Sequence, residues 1–201
     1  MSKYVRISAR PINQQIAHQI DKEFLKEMSL SLPPVDKMTT MELSLHNCAF
    51  GHVLIGTDRV YLKAVELGVD PDQCYRNFIN RWSRESIEVI PRVNQSLVEK
   101  VLRSIDTGNV DPSIQVSLRG TWFQRKVLEA VNMIPFGQTM TYGEIAKQIN
   151  RPDSARAVGN ALGQNPIAII VPCHRAVRSD GKMSGYKWGE DIRDKLMTRE
   201  A

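Results

Sequence analysis

Cysteine is scarce: the chain has three in 201 residues, Cys48, Cys74 and Cys173. An odd, sparse set excludes a disulfide-built scaffold and points to a reducing compartment. Long apolar runs are missing as well. The longest, Ile167 to Val171, is five residues, whereas a bilayer span takes roughly 20, so no membrane partner is expected. Met1 to Gln15 is polar and basic without an apolar stretch, which predicts no secretory signal. The expected location is the cytoplasm, or the nucleus in a eukaryotic cell. No internal repeat or low-complexity tract is evident. With 42% hydrophobic and 24% charged residues, the composition excludes a collagen, a mucin or a wholly disordered chain.

Acidic surplus is also absent, and the basic surplus is localised. Residues 1–114 hold 14 Lys+Arg against 14 Asp+Glu, whereas residues 115–201 hold 13 against 8. The whole net charge of +5 therefore falls in the last part of the chain, a modest footprint for a polyanionic partner.

Three parts are expected. Residues 1–40 form an extension in which Ile12, Ile16, Ile20, Phe24 and Met28 recur every fourth residue. This spacing predicts one amphipathic helix, stopped by Pro33-Pro34 and docked on the protein surface. Residues 41–114 read as a small α/β unit. Leu43–Leu45, Val53–Ile55 and Val60–Val65 suggest strands, and 71–84 and 94–105 have helical spacing. Residues 115–201 are mostly helical. A helix over Trp122–Met133 is ended by Pro135 and Gly137. Thr141 with Glu144 forms a capping box for a helix through about Gln148, and Ser154 caps a second, rich in Ala and Gly, to about Gln164. Two short helices around a tight turn predict a helix-turn-helix. Small residues on the second would let a partner approach its backbone closely.

The chemistry concentrates at Ile167-Ala-Ile-Ile-Val171 followed by Pro172-Cys173-His174-Arg175. The apolar run reads as a buried strand or extended segment delivering a thiol beside an imidazole. A thiol is a weak nucleophile until deprotonated. His174 can take its proton, directly or through water, and Arg175 adds positive charge. Cys48 lies between His46 and His52, so a metal site from His46, Cys48, His52 and Cys74 is conceivable. The spacing is loose, and small buried core cysteines are the preferred reading, with no metal expected.

Together these motifs resemble the O6-alkylguanine-DNA alkyltransferases, or methylated-DNA–protein-cysteine methyltransferases. The carrying residues are Pro172-Cys173-His174-Arg175, Arg156-Ala157-Val158-Gly159, Asn165-Pro166, and Phe136-Gly137 with Thr141-Tyr142. Arg119 to Gln124 and Ser184 to Gly189 resemble the bacterial subtype represented by the C-terminal domain of the adaptive-response protein. The resemblance covers about residues 41–201 and is densest over 120–200.

It implies an α/β plus α fold: a ribonuclease-H-like N-terminal α/β domain, then a helical, winged-helix-like domain carrying the helix-turn-helix. It implies repair of O6-alkylguanine, and of O4-alkylthymine, in double-stranded DNA by irreversible, single-turnover transfer of the alkyl group to Cys173. His174 would be the base through a bound water, and Glu200 would orient it. Tyr142 would donate to guanine N3. The nucleotide would be flipped out, with Arg156 filling the gap from the minor-groove side. Asn165 would be a hinge, and Tyr186 would wall the base pocket. No cofactor is implied, and the protein would be a monomer. Two departures stand out: Ala176 replaces the usual Val, and Lys187 stands where some relatives place Ser. The sequence holds no cysteine-rich zinc module, so phosphotriester sensing and transcriptional activation are not expected. The alternative is a lesion-sensing or regulatory DNA-binding protein without transfer, against which the presence of Cys173 argues. A cysteine hydrolase would need an oxyanion hole, to which nothing in the sequence points.

Overall fold

The computed structural model describes residues 38–82, 86–89, 94–181 and 185–201. The amphipathic helix expected within residues 1–37 lies outside them, as does Ser184. The chain divides into two compact units between Lys100 and Val101. Strand β1 (Met38–Cys48) begins slightly inside the segment expected to be extension.

In the first unit, β1 pairs antiparallel with β2 (Gly51–Thr57), which pairs antiparallel with β3 (Leu62–Gly68). A fourth strand, β4 (Ser86–Val89), lies parallel to β1, giving the order β3-β2-β1-β4. Alternation along β1 is the folding signal. Met41, Leu43 and Leu45 join a core made with Leu54, Ala64 and helix α1 (Pro71–Trp82), which contributes Cys74, Tyr75, Phe78 and Trp82. β3 starts later than the sequence suggested because Asp58 folds the chain first: its carboxylate accepts from the amides of Val60 (2.8 Å) and Tyr61 (2.7 Å). β4 was not foreseen, since a four-residue strand is too short for its alternation to stand out.

Helix α2 (Gln95–Thr107) is capped by Asn94, whose side chain accepts from the amide of Leu97 at 3.1 Å. The chain passes from the first unit to the second within this helix.

The second unit holds α3 (Trp122–Asn132), α4 (Tyr142–Gln148), α5 (Ala155–Gly163) and α6 (Glu190–Glu200). Capping boxes start α3 (Thr121 with Gln124) and α4 (Thr141 with Glu144). α4 ends in a Schellman turn. Asn150 adopts φ +58°, its amide donates to the Lys147 carbonyl, and the Arg151 amide donates to that of Ala146. Ser154 occupies the N-cap of α5, but its side chain makes no capping hydrogen bond, contrary to the sequence reading. Its backbone sits at ψ 20°, away from the extended geometry that a side-chain cap uses. α3 packs on both α4 and α5. No helix among the described residues is long and apolar enough to cross a membrane.

Candidate active site

The segment Ile167–Val171 is buried throughout, at 0–3% exposure, but it is not the strand that its composition suggested. It is a succession of turns. The Ile170 amide donates to the Ala168 carbonyl at 2.6 Å, that of Val171 to Ile167 at 3.3 Å, and that of Cys173 to Val171 at 2.8 Å. Ile169 adopts φ +65°, a left-handed conformation that a β-branched residue rarely takes.

A buried backbone outside a sheet needs other partners, and Asn165 supplies them. Fully buried, it accepts from the Ile167 amide at 3.0 Å and donates to the carbonyls of Ile167 (3.2 Å) and Val171 (2.9 Å). The same amide nitrogen lies 3.3 Å from the sulfur of Cys173. Asn165 thus shapes the turn and contacts the thiol that the turn presents.

Cys173 opens a single 3-10 turn, Cys173–Arg175, that leads into β6 (Ala176–Val177). β6 pairs parallel with β5 (Met140–Thr141), which anchors the start of α4. α3 and α6 both pack against the turn. The half-buried thiol is followed by two buried side chains, His174 at 1% and Arg175 at 7% exposure.

Both reach Glu200 in the last turn of α6. His174 Nε2 lies 2.8 Å from Glu200 Oε1. Arg175 donates from Nε to Oε2 at 2.8 Å and from its terminal nitrogen to Oε1 at 3.0 Å. The Gly137 amide adds a longer bond to Oε2, at 3.4 Å. Gly137 is at φ +74°, and a Cβ there would come within 2.9 Å of the Glu200 carbonyl, so only glycine fits without strain. Arg199, one residue earlier on α6, ties the helix end to the carbonyls of Ile105 (2.9 Å) and Asp106 (3.1 Å).

These contacts decide the protonation pattern. Burial alone would push the Glu200 carboxyl up, but the hydrogen bonds and charges of His174 and Arg175 outweigh it and hold the group at about 2. An ionised carboxylate only accepts, so His174 Nε2 carries the proton. In the neutral imidazole the lone pair is then on Nδ1. That atom is buried and has no hydrogen-bond partner among the described residues.

Tyr186 completes the cluster. Its hydroxyl is buried, and burial pushes its pKa well above the ordinary phenol value, with Cys173 acting next in the same direction. Its ring meets Trp188 edge-on at 5.3 Å, and the Lys187 ammonium lies 5.6 Å from the Trp188 ring.

The structure therefore brings Asn165, Cys173, His174, Glu200 and Tyr186 together. Tyr142 and Arg156 are placed by the helix pair. Tyr142 is the first residue of α4, and its ring lies against Gly159 of α5, where a Cβ would stand 3.7 Å away. Arg156, in the first turn of α5, is exposed, as is the neighbouring Ala157.

Sequence reasoning gave Arg175 a different place. It was expected to supply positive charge to the thiol, but its guanidinium is taken up by Glu200, by the Ile134 carbonyl (2.7 Å) and by the ring of Phe136 (5.7 Å). Of the conceivable metal set, His46 and Cys48 lie on β1, His52 on β2 and Cys74 on α1. Cys74 donates to the His52 carbonyl at 3.4 Å. Among the described residues no three His, Cys, Asp or Glu side chains converge as they would around a metal ion. An open groove of about 500 Å³ lies away from the thiol, between α3 and the end of α4, lined by Trp122, Met133 and Arg151 among others.

Comparison with known proteins places most of the chain beside relatives of one kind. The family profile described as 6-O-methylguanine DNA methyltransferase, DNA binding domain, matches residues 122–201. The bifunctional transcriptional activator/DNA repair enzyme Ada of Escherichia coli is 33% identical over 158 residues, which is 79% of this chain but 45% of that protein. This chain thus spans under half the length of that relative. A methylated-DNA–protein-cysteine methyltransferase of Mycolicibacterium paratuberculosis is 42% identical over 129 residues, covering 64% of this chain and 75% of the relative. A crystal structure of Mycobacterium tuberculosis OGT in complex with DNA superposes with a TM-score of 0.63 at 32% identity, over 81% of this chain and 92% of that one. The likeness extends through three quarters of the methyltransferase of Mycolicibacterium paratuberculosis, and on that extent the chain belongs to the methylated-DNA–protein-cysteine methyltransferase family.

Proposed function

We propose that this protein repairs O6-alkylguanine, and O4-alkylthymine, in double-stranded DNA by transferring the alkyl group irreversibly to Cys173. The observation that carries the reading is the buried Nδ1 of His174, one residue from the thiol and without a hydrogen-bond partner among the described residues, with the other ring nitrogen on an ionised Glu200. A buried polar atom of this kind calls for a partner, and a water between Nδ1 and the thiol supplies one.

The thiol proton passes through that water to Nδ1, and Glu200 stabilises the imidazolium formed. The sulfur attacks the alkyl carbon, the carbon–O6 bond breaks, and its electron pair leaves with the guanine. Tyr142 donates a hydrogen bond to N3 and stabilises the departing anion. The guanine anion then takes up one proton at N1, balancing the one that His174 accepted and releases through the water. The products are a thioether on Cys173, a neutral imidazole and an intact guanine. A thioether has no easy route back to thiol, so each molecule acts once and needs no cofactor.

The base must leave the duplex to reach the thiol. In this reading α5 enters the minor groove, Arg156 fills the vacated stack and Tyr186 walls the pocket that receives the base. The exposed Arg156 and Ala157 support this placement of α5, because a narrow groove admits small side chains beside one long cation. Asn165 is the hinge between that helix and the reactive turn. The strand order β3-β2-β1-β4, with β4 parallel to β1, supports a ribonuclease-H-like sheet over 41–114. The helix pair α4–α5 supports a winged-helix-like unit over 115–201. The protein works as a monomer in the cytoplasm, or in the nucleus of a eukaryotic cell.

The test is intact mass after mixing with excess duplex carrying one O6-methylguanine, followed by peptide mapping. The expected gain is about 14 Da, one methyl replacing one hydrogen, at one equivalent on the Cys173 peptide. Bound DNA without a mass change would replace this reading with lesion sensing.

A further inference from the structure

Arg175 is the one side chain in the cluster whose role that mechanism leaves open. It is 7% exposed, and all three of its guanidinium nitrogens donate hydrogen bonds. Its fork spans both oxygens of Glu200, at 2.8 and 3.0 Å, and its remaining terminal nitrogen donates to the Ile134 carbonyl at the end of α3. With the bonds from His174 and Gly137, the carboxylate receives four donors on two oxygens. Glu200 therefore serves two cationic partners, one permanent and one that titrates.

That sharing has a chemical consequence. A carboxylate facing a histidine alone favours the imidazolium and raises the histidine's basicity. If the rise is large, the ring is already protonated before reaction and cannot accept the thiol proton. A fixed guanidinium on the same carboxylate opposes the rise in two ways. It offsets part of the negative charge, and it repels the positive charge that the ring would acquire.

We propose that Arg175 is a positioning residue of the relay: by gripping both oxygens of Glu200 it holds the carboxylate in register with His174 and keeps the imidazole neutral, and so able to act as base, at the pH where the protein works. The inference rests on the transfer reading given above. Other titratable or charged groups acting on the cluster are Cys173 on the same turn, Tyr186 on the loop before α6, and Arg193 on α6, which is paired with Asp194 at 3.2 Å. Lys could deliver the charge but not the fork, because its ammonium is a point donor.

The experiment is a side-chain NMR titration of His174, assigned by the signal lost in His174→Gln, in the wild-type protein, Arg175→Met and Arg175→Lys. Transfer rates to O6-methylguanine duplex are measured from pH 5.5 to 9 alongside. Arg175→Met is expected to raise the His174 midpoint by about one pH unit or more. The acid limb of its transfer profile should move up by the same amount, so that its rate deficit is largest at low pH. Arg175→Lys is expected to keep the wild-type midpoint while losing rate evenly across pH. An unchanged midpoint in Arg175→Met, or a deficit of the same factor at every pH, would show a purely structural role and overturn the proposal.

Should Arg175→Met fail to fold, the other two proteins decide. A His174 midpoint that is the same in the wild-type protein and Arg175→Lys supports the proposal, and a midpoint that moves in Arg175→Lys overturns it. The titration needs no alkylated DNA, so its outcome is independent of whether Cys173 accepts an alkyl group, which the mass measurement settles separately.

Discussion

Glu200→Gln is the substitution whose effect the geometry specifies most fully. The amide keeps one acceptor, which can still receive the His174 Nε2 proton. Its NH2 group, however, faces the donors of Arg175, which keeps a buried charge without its counter-ion. Removing one partner of a buried, hydrogen-bonded pair costs about 3–5 kcal/mol. The pH dependence gives a second, independent estimate. The Glu200 carboxyl is held at about 2 in the folded protein, against an ordinary value of about 4.3, which corresponds to about 3 kcal/mol at neutral pH.

The folded value is the lower one, so this stabilisation is complete above the unfolded value and drains away as pH falls from about 4.3 toward 2. Gln does not titrate in that window. The stability gap between wild type and Glu200→Gln should therefore shrink on acidification, by about half at pH 3 relative to pH 7. The assay is urea unfolding at pH 7, 5, 4 and 3. Both proteins carry Trp82→Phe, so that the fluorescence comes from Trp122 and Trp188, both in the second unit. A gap constant from pH 7 to pH 3 would refute the reasoning. It would mean that Glu200 contributes shape and not charge.

Three further outcomes are expected. Asn165→Asp keeps the acceptor used by Ile167 but turns a carboxylate oxygen toward two carbonyls and the thiol, so urea unfolding should show a loss of at least about 2 kcal/mol. Alkylation of Cys173 by iodoacetamide at pH 7 should also slow, because a negative neighbour disfavours the thiolate. Arg156→Ala removes an exposed side chain, so thermal unfolding should change by no more than about 0.5 kcal/mol. Transfer from duplex DNA should fall tenfold or more while reaction with the free alkylated base holds; an equal fall for both substrates would exclude a base-flipping role. Burial pushes the Cys74 thiol up to about 12, so iodoacetamide at pH 8 should label Cys173 and spare Cys74 in the folded protein, as read by peptide mapping.

Much of the fold was legible because its causes are local. Thr141 and Glu144 sit three residues apart and bond each other's backbone, so the start of α4 could be read from four letters. Asn94 before α2 and the paired strands of β1 and β2 were legible for the same reason. The reading slipped where a local signal had a competitor. Asp58 captured two amides and delayed β3, and Ser154 looked like a cap but adopted a backbone that does not cap.

The run Ile167–Val171 shows the limit more sharply. Five apolar residues say that a segment is buried; they do not say where its backbone hydrogen bonds go. A sheet would supply them from a neighbouring strand. Here the segment turns back on itself and Asn165 takes the place of the neighbour, satisfying one amide and two carbonyls while its nitrogen reaches Cys173. The informative letter was a polar residue just ahead of the run, in a position where it reads equally well as the end of α5.

The same lesson applies to charge. Arg175 adjoins Cys173 through His174, and from sequence its positive charge looked available to the thiol. Its partner lies 25 positions later, at the far end of a helix, where spacing alone gives no sign of it. Glu200 entered the sequence reading only through the family resemblance, and nothing in that resemblance tied it to Arg175. Once the pair is seen, the chemistry of the site changes character. On the proposed mechanism, the thiol is served by an imidazole whose basicity depends on how one carboxylate is divided between it and a guanidinium, so the residue proposed to set the working pH is two places from the nucleophile.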